Sequence, residues 1–218
     1  MTQRGFDPAC RRCGRLAAFL DTVKSQYPDY FCRPVPPFGA ADARLLVVGL
    51  APGMHGANAS GRPFTGDFAG ILLYKTLHKF GFASAPVSRA TDDGLQLIDC
   101  RITNAVKCLP PQNKPVGAEI KACREYLADE LQTMQPGSVV VALGSIAHNS
   151  VVAASGMRQA DARFAHAARH ALPNGVALLD SYHCSRYNTQ TRRLTDDMFE
   201  QVFAAARALL DDAAVDTA

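Results

Sequence analysis

The sequence contains no basic segment followed by a short apolar stretch near its start, and no apolar run of membrane-spanning length. It also shows no internal repeat. The formal net charge is only +3 over 218 residues, so overall charge permits nucleic-acid binding without arguing for it. These absences argue against secreted, membrane-spanning and repeat classes. With 48% hydrophobic and 20% charged residues, we expect a cytoplasmic globular protein with one domain over residues 1–218.

Two nucleotide-binding motifs are also missing. The stretch GLAPGMHGANASGRPFTGDFAG, residues 49–70, follows the apolar run RLLVVGL and precedes a segment with helical spacing. It is glycine-rich, as phosphate-binding loops are, but it has neither the lysine of a Walker loop nor the compact G-x-G-x-x-G of dinucleotide folds. A nucleotide phosphate is therefore not the expected ligand of this loop.

Apolar runs and helix-period segments alternate along the chain. Because these runs are continuous rather than alternating, the strands are expected to be buried on both faces. The pattern predicts an α/β fold, a three-layer α/β/α sandwich with a central, mainly parallel four-stranded sheet. Strands are predicted within residues 44–50, 96–106, 138–144 and 174–181, helices over 11–28, 68–80, 116–134, 145–155 and 194–210, and a frayed tail over 211–218.

Unusual residues collect after the predicted strands. The four strands lead into the segments GLAPGMHGAN, TNAVKC, LGS and SYHCSRYNTQ. Ligands of open parallel sheets bind beyond the carboxyl ends of the strands. The sequence therefore predicts that these segments meet at one edge of the sheet and form a site there.

Four of the seven cysteines form two local pairs that suit a metal. Cys10 and Cys13 make a C-x-x-C at the start of the first helix, and Cys108 and Cys123 flank a proline-rich segment. Four thiolates suit either tetrahedral zinc or an iron–sulfur cluster, and the spacing leaves the two metals open. Cys123 also lies on the apolar stripe of its helix, so a core thiol is an alternative. A thioredoxin-like redox pair is less consistent, because the C-x-x-C precedes the sheet.

The remaining cysteines are interpreted as structural. A reducing compartment and an odd count make disulfides unexpected. These residues are Cys32, Cys100 and Cys184.

Three segments and the four cysteines together resemble the uracil-DNA glycosylase superfamily. The segments are GLAPGMHGANASGRPFTGD, ITNAVKC and SYHCSRYNTQTRRLT, and they occur in the order of that family. The match is closest to the type B (family 5) enzymes, which carry an iron–sulfur cluster, and it extends from Cys10 to the last helix. The resemblance implies that Cys10, Cys13, Cys108 and Cys123 hold a structural [4Fe–4S] cluster.

The resemblance also implies a DNA-repair enzyme. Such an enzyme flips uracil, and other deaminated bases such as hypoxanthine, out of DNA and hydrolyses the N-glycosidic bond. We expect a monomer that acts on uracil-containing DNA and has no membrane partner. Lys107 carries no mark of a Schiff-base lysine, so a monofunctional enzyme is expected. The alternatives are a uracil-restricted type A (family 4) enzyme, which would carry an acid in place of Leu50, and a non-catalytic iron–sulfur nucleic-acid-binding protein.

Base recognition is implied for three side chains and one stretch of backbone. Phe64 would stack on the flipped base, Asn104 would pair with its edge, and His183 would hydrogen-bond its O2. Each has an ordinary structural alternative: a core aromatic, a turn asparagine and a satisfied histidine. The backbone of Ala51, Pro52 and Gly53 would approach the base or the sugar phosphate.

The attacking water needs a polar neighbour, which Leu50 cannot provide. The resemblance implies that Asp67 takes this role, although Asp67 also stands where a helix N-cap is expected. His55 and Asn58, in the same loop, are secondary candidates for positioning the water or the substrate.

The segment SRYNTQTRR is expected to enter the DNA groove. Arg186 would contact a phosphate, and Ser185 and Asn188 would make neutral contacts. Arg192 and Arg193 carry less weight, because charge clusters are usually solvated surface. Cys184 stands where the family usually has a proline, which leaves the orientation of His183 open.

Overall fold

The structure is a computed structural model that describes residues 5–215. Six strands within that range form one sheet. They are β1 Phe38–Gly39, β2 Leu45–Gly49, β3 Cys100–Asn104, β4 Val139–Leu143, β5 Arg169–Ala171 and β6 Ala177–Ser181. The helices are α1 Gly14–Gln26, α2 Ala57–Ser60, α3 Phe68–Lys79, α4 Gly117–Thr133, α5 Ser145–Ala154, α6 Arg186–Gln190 and α7 Asp196–Val215, with 3-10 turns at Pro111–Asn113 and Gln159–Asp161.

The sheet has a parallel centre and antiparallel edges. Its strand order is β1-β3-β2-β4-β6-β5, and the four inner strands are parallel. The two outer strands, β1 and β5, pair antiparallel with their neighbours. The predicted four-stranded parallel sheet is thus confirmed. The edge strands add two and three residues, too few to produce a periodic signal in the sequence.

Side chains of the inner strands alternate between two cores. Leu45 and Val47 of β2 pack with α3 and α7 on one face of the sheet. Leu46 and Val48 pack with α4 and α5 on the other. This alternation, with both faces covered, is the three-layer α/β/α arrangement that the continuous apolar runs predict.

A third cluster attaches the N-terminal helix. Leu20 and Val23 of α1 pack with Cys32 and Leu109. Leu109 follows the end of β3 by five residues, so α1 lies against the loop that leaves this strand.

The last helix runs further than expected. Helix α7 continues to Val215, five residues into the segment for which a frayed tail is expected, and residues 216–218 lie outside the described range. Within residues 5–215, every helix is too short or too polar to cross a membrane.

Candidate active site

A cavity of about 410 Å³ opens at the carboxyl edge of the sheet. The loops after β2, β3 and β6 all contribute to it, as the parallel topology requires. Its lining residues are Leu50, Ala51, Gly53, Ala57, Phe64, Asp67, Ala69, Asn104, Asn113, His183, Ser185 and Arg186. The structure therefore brings together Ala51, Gly53, Phe64, Asp67, Asn104, His183, Ser185 and Arg186 from the sequence-based candidates.

Asn104 and Phe64 meet above the last residue of β2. Strand register places Gly49 beside Asn104, the last residue of β3. A methyl group at Gly49 would lie 2.6 Å from Phe64 Cζ and closer still to Asn104 Oδ1. Gly49 thus lacks a side chain because the ring and the amide occupy that space.

The amide oxygen of Asn104 is buried and unpaired. Asn104 is 3% exposed, and its Oδ1 has no hydrogen-bond partner among the described residues. A buried acceptor left without a donor costs free energy. In the wall of a cavity it indicates that a ligand donates to it.

The loop that carries Phe64 is anchored on both sides. Arg62 is paired with Asp93 at 2.8 Å, and the Tyr74 hydroxyl donates to the carbonyl of Pro63 at 2.7 Å. These contacts hold Phe64 at a φ of 55°, a left-handed conformation that is uncommon for a bulky residue. The Phe64 ring lies 6.1 Å from the His183 ring, with 30° between their planes.

Asp67 combines a cap with a place in the cavity wall. Its Oδ1 accepts from the amide of Gly70 at 2.8 Å, which makes Asp67 the N-cap of α3. Its Oδ2 lies on the side of the β2–α2 loop, where a methyl group at Gly56 would come within 2.8 Å of it. Burial raises the pKa of Asp67. The cap uses one oxygen, so the two expected roles do not compete.

His183 enters the cavity two residues after β6 ends. Removal of its ring from water lowers the pKa of His183 to about 4, so the imidazole is neutral near pH 7. The amide Nδ2 of Asn188 donates to the carbonyl of His183 at 2.8 Å. This bond holds the turn that contains Cys184, which is fully buried.

The segment after His183 forms the rim. Ser185 caps α6 by accepting from the amide of Asn188. Arg186 is exposed at the surface, and its guanidinium lies 5.0 Å from the centre of the Phe68 ring. Tyr187 is 70% exposed. Asn188 therefore serves the turn itself, while Arg186 and Tyr187 face solvent.

Comparison with known proteins assigns the sequence to a family. A model of the uracil DNA glycosylase superfamily matches residues 36–207. The chain belongs to the uracil DNA glycosylase superfamily. It is 46% identical over 206 residues to the type-5 uracil-DNA glycosylase of Thermus thermophilus, covering 92% of this chain and 94% of the relative. The type-5 uracil-DNA glycosylase of Pyrobaculum aerophilum is 40% identical over 91% of this chain and 88% of its own.

A type-4 relative aligns with a smaller part of this chain. The type-4 uracil-DNA glycosylase of Archaeoglobus fulgidus is 34% identical over 64% of this chain and 56% of its own. The similarity to the type-5 proteins is thus both higher and longer.

Three loop residues that sequence reasoning assigned to the site lie outside the cavity lining. The exposed His55 turns towards Tyr30, whose hydroxyl lies 2.8 Å from its Nδ1. Asn58 is fully buried, and its Nδ2 donates to Cys32 Sγ at 3.4 Å. The third residue, Pro52, is buried.

One polar lining residue was missed, besides the apolar Ala57 and Ala69. Asn113 reaches the cavity from the proline-broken segment after β3, at a φ of 56°. The sequence did indicate that this segment lies near the cavity, because it follows the carboxyl end of β3, which also supplies Asn104. Proline-rich composition alone, however, does not indicate which residue faces inward.

Lys107 does not line the candidate active-site cavity. It is 1% exposed, and its Nζ is paired with Glu130 Oε1 at 2.9 Å. The Thr103 hydroxyl also accepts from it. An amine held in this way is not available to attack a sugar carbon.

The four paired cysteines line a second, small cavity of about 20 Å³. Cys13 is the N-cap of α1, Cys123 lies in α4, and the amide of Lys107 donates to Cys123 Sγ at 3.3 Å. Burial, with the neighbouring thiols adding to it, raises the pKa of Cys108 to about 12. The residues are Cys10, Cys13, Cys108 and Cys123, and the structure brings all four to one place from three parts of the chain.

Proposed function

We propose that this protein is a DNA-repair glycosylase that hydrolyses the N-glycosidic bond of uracil in DNA. The observation that carries the proposal is the unpaired Oδ1 of Asn104 in the cavity wall beside Phe64. Membership in the superfamily supports it, since the relatives named above are uracil-DNA glycosylases.

The cavity offers the contacts that a flipped uracil needs. The imide N–H of the base donates to Asn104 Oδ1, and the amide Nδ2 donates to the neighbouring base oxygen. The Phe64 ring provides a stacking face. Both groups lie above Gly49, so one base can reach them together.

His183 stabilises the departing base. Its pKa of about 4 keeps the ring neutral, so at neutral pH it donates a hydrogen bond to the base O2 rather than a proton. Hydrolysis breaks the bond from C1′ to the base nitrogen, and its electron pair leaves with the base as an anion. A fixed donor on the oxygen where this charge develops lowers the barrier.

Asp67 acts on the attacking water. The water forms the new bond to C1′, and Asp67 takes the proton that it releases, which ends on the base. The same carboxylate stabilises the positive charge that develops on the sugar. Its second oxygen caps α3, which fixes the direction of the first.

The pocket is expected to accept more than uracil. Leu50 lines the cavity and has no polar group that must pair with the substrate. The cavity volume of about 410 Å³ leaves room for a purine such as hypoxanthine. Duplexes that each carry one deaminated base test this directly. Excision of uracil with hypoxanthine untouched would refute the wider range.

The decisive experiment measures abasic sites formed on a uracil-containing oligonucleotide by the wild-type protein and by Asp67→Asn. Asparagine is an equally good N-cap, so this variant removes the charge and keeps the helix start. We expect the single-turnover rate to fall by about 100-fold or more. A wild-type protein that shifts the DNA but forms no abasic sites would be a non-catalytic binder. Full activity of Asp67→Asn would remove Asp67 from the mechanism and leave the function standing.

Strand cleavage is not expected. Because Lys107 is buried against Glu130, the reaction has no amine nucleophile from this residue, and borohydride should trap no covalent complex with DNA. We also propose that the enzyme acts as a monomer, which size-exclusion chromatography with light scattering would check.

We further propose that the four cysteines hold a [4Fe–4S] cluster. One zinc ion would draw its four sulfurs to about 3.8 Å from one another. A [4Fe–4S] cluster instead binds one cysteine sulfur at each of its four irons. Four cysteines around one cavity supply that number of ligands, and the resemblance to the type B enzymes favours the cluster over zinc.

The cluster would be structural. When bound, it supplies four metal–sulfur bonds that tie the start of α1 to α4 and to the loop after β3. Iron and sulfide content of anaerobically purified protein, with its visible absorbance, would distinguish it from zinc.

A further inference from the structure

His166 accepts a hydrogen bond from the Ser181–Tyr182 peptide, one residue before His183. Strand β6 ends at Ser181, so the amide of Tyr182 lies beyond the last paired residue of the ladder. This amide donates to Nδ1 of His166 at 3.1 Å. The His166 and Tyr182 rings are also stacked, with centroids 5.0 Å apart and 18° between their planes.

The hydrogen bond determines the tautomer of His166. A main-chain N–H only donates, so Nδ1 must carry no proton and Nε2 must carry one. Burial lowers the pKa of His166, and a contact with the main chain of Met198 opposes that change. The neutral ring can thus accept from Tyr182 through Nδ1.

The segment around His166 is itself fixed by the strand that it supports. The amide of Ala167 donates to the carbonyl of Asp180 at 2.9 Å, and the amide of Asp180 donates to Ala168 at 3.0 Å. The Asp180 carboxylate, fully buried, is paired with His148 Nδ1 at 2.7 Å. His166 thus belongs to a rigid loop rather than to a mobile one.

On the other side of His183, the next peptide is held by Asn188, which donates to the carbonyl of His183. We propose that His166 is a positioning residue for His183. By fixing the amide of Tyr182, it sets the direction in which the His183 ring enters the cavity towards Phe64. This inference rests on the role proposed above for His183.

A pair of substitutions separates the hydrogen bond from simple packing. His166→Leu removes the acceptor, while His166→Asn places an oxygen where Nδ1 stands and keeps it. We expect His166→Leu to lower kcat for uracil excision by about 10- to 100-fold, as misplaced catalytic groups do, with little change in KM. His166→Asn should recover most of that loss. Equal losses in the two variants would overturn the proposal.

His170→Leu is the matched control. His170 is also a partly buried histidine of this region, but its Nε2 contacts Asp180 Oδ2 at 3.2 Å instead of Tyr182. Its removal should leave kcat within about twofold, whatever it does to the melting temperature. A loss as large as that of His166→Leu would mean that general stability, and not the Tyr182 contact, is responsible.

A double-mutant cycle tests whether the effect passes through His183. In the His183→Ala background, His166→Leu should change the rate by less than about twofold, because the group that it positions is gone. The same fold loss in both backgrounds would contradict the inference.

The ring signals of His183 in NMR spectra of histidine-labelled protein give a readout independent of activity. They should shift in His166→Leu and return in His166→Asn. If the wild type excised no uracil, the proposed function would fail, and these signals would still decide whether His166 positions His183. Unchanged signals in His166→Leu would refute it.

Discussion

Gly49 is the residue at which the two halves of the base site touch. Phe64 arrives from the long loop after β2 and Asn104 from the end of β3, and both occupy the space above this glycine. No hydrogen bond links the Asn104 oxygen to the described protein. Phe64 also belongs to the hydrophobic core on this face of the sheet, so the close approach joins the core to the binding site.

Gly49→Ala should strongly lower the rate of excision while leaving the protein folded. The added methyl would press on Phe64 and on the Asn104 amide, and we expect a rate loss of about 100-fold from their displacement. Gly117→Ala is the control, since a methyl there meets nothing within 4 Å. The measurement is single-turnover excision alongside circular dichroism. Wild-type rates in Gly49→Ala would show that the two groups do not act on the base together.

The pKa values of Asp67 and His183 are shifted in opposite directions, and we expect Asp67 to determine how the rate of excision depends on pH. Burial raises the pKa of Asp67 and lowers that of His183 to about 4. As pH falls, protonation of Asp67 takes from the water the group that accepts its proton. Excision should therefore begin to decline at a pH above the ordinary range of an aspartate, because burial raises the pKa of Asp67, and His183→Ala should retain that decline at a lower rate. Loss of the decline in His183→Ala would reverse the assignment.

At the scale of elements, α6 presents an exposed aromatic side chain beside the cavity. Tyr187 is 70% exposed, next to Arg186, which lines the cavity. A large side chain kept in water at the rim can fill the space that a flipped base leaves in the duplex.

Tyr187→Ala should lower excision from double-stranded DNA by about tenfold and leave single-stranded DNA nearly unaffected, because only the duplex has a stack to refill. Val87→Ala, which removes another exposed apolar side chain, should change neither rate. Equal losses on both substrates would indicate a role in binding the strand instead.

Helix α4 is joined to β3 by a buried charge network. Glu130 accepts from Lys107 at 2.9 Å and from Arg101 at 3.0 Å. Burial alone would raise the pKa of Glu130, but the charge of Lys107 holds it below its ordinary value. The stabilisation is thus present above the ordinary pKa of a glutamate and is lost as pH falls through the lowered one.

Glu130→Gln should lower the free energy of unfolding by about 3–5 kcal/mol at neutral pH, since Lys107 is left buried without its counter-charge. Asp161→Asn breaks an exposed pair with Arg158 and should cost less than about 1 kcal/mol. Urea denaturation measures both, and similar small losses would show that Lys107 finds another partner.

At the scale of the whole molecule, the cysteine cavity joins parts of the chain that the sheet does not. Cys10 and Cys13 stand before α1, Cys108 follows β3, and Cys123 lies in α4. Apart from this cavity, the hydrophobic attachment of α1 is the small cluster with Cys32 and Leu109. A metal cluster there would contribute much of the free energy that attaches α1 to the rest of the protein.

Cys123→Ser should lose iron and visible absorbance and melt at a lower temperature. Cys100→Ala is the control, because Cys100 is fully buried in β3, away from this cavity. It should keep wild-type iron content even if it melts earlier. Iron retained at the wild-type level in Cys123→Ser would refute the ligand set.

The inner strands, the long helices and the convergence of loops at one edge follow from the sequence by itself. Buried parallel strands need continuous apolar runs, and parallel strands place their carboxyl ends together. These rules predicted one site at that edge, and the resemblance to the uracil-DNA glycosylase superfamily implied that Phe64, Asp67, Asn104 and His183 belong to it.

Only the tertiary structure decided which loop residues face the cavity. His55 and Asn58 share a loop with Phe64, yet one bonds Tyr30 and the other Cys32, while Asn113 enters from a different loop. The direction of a loop side chain depends on partners far away in the chain, and no periodicity records them. The same holds for His166, whose contact with Tyr182 exists only because Asp180 folds its loop onto the strand.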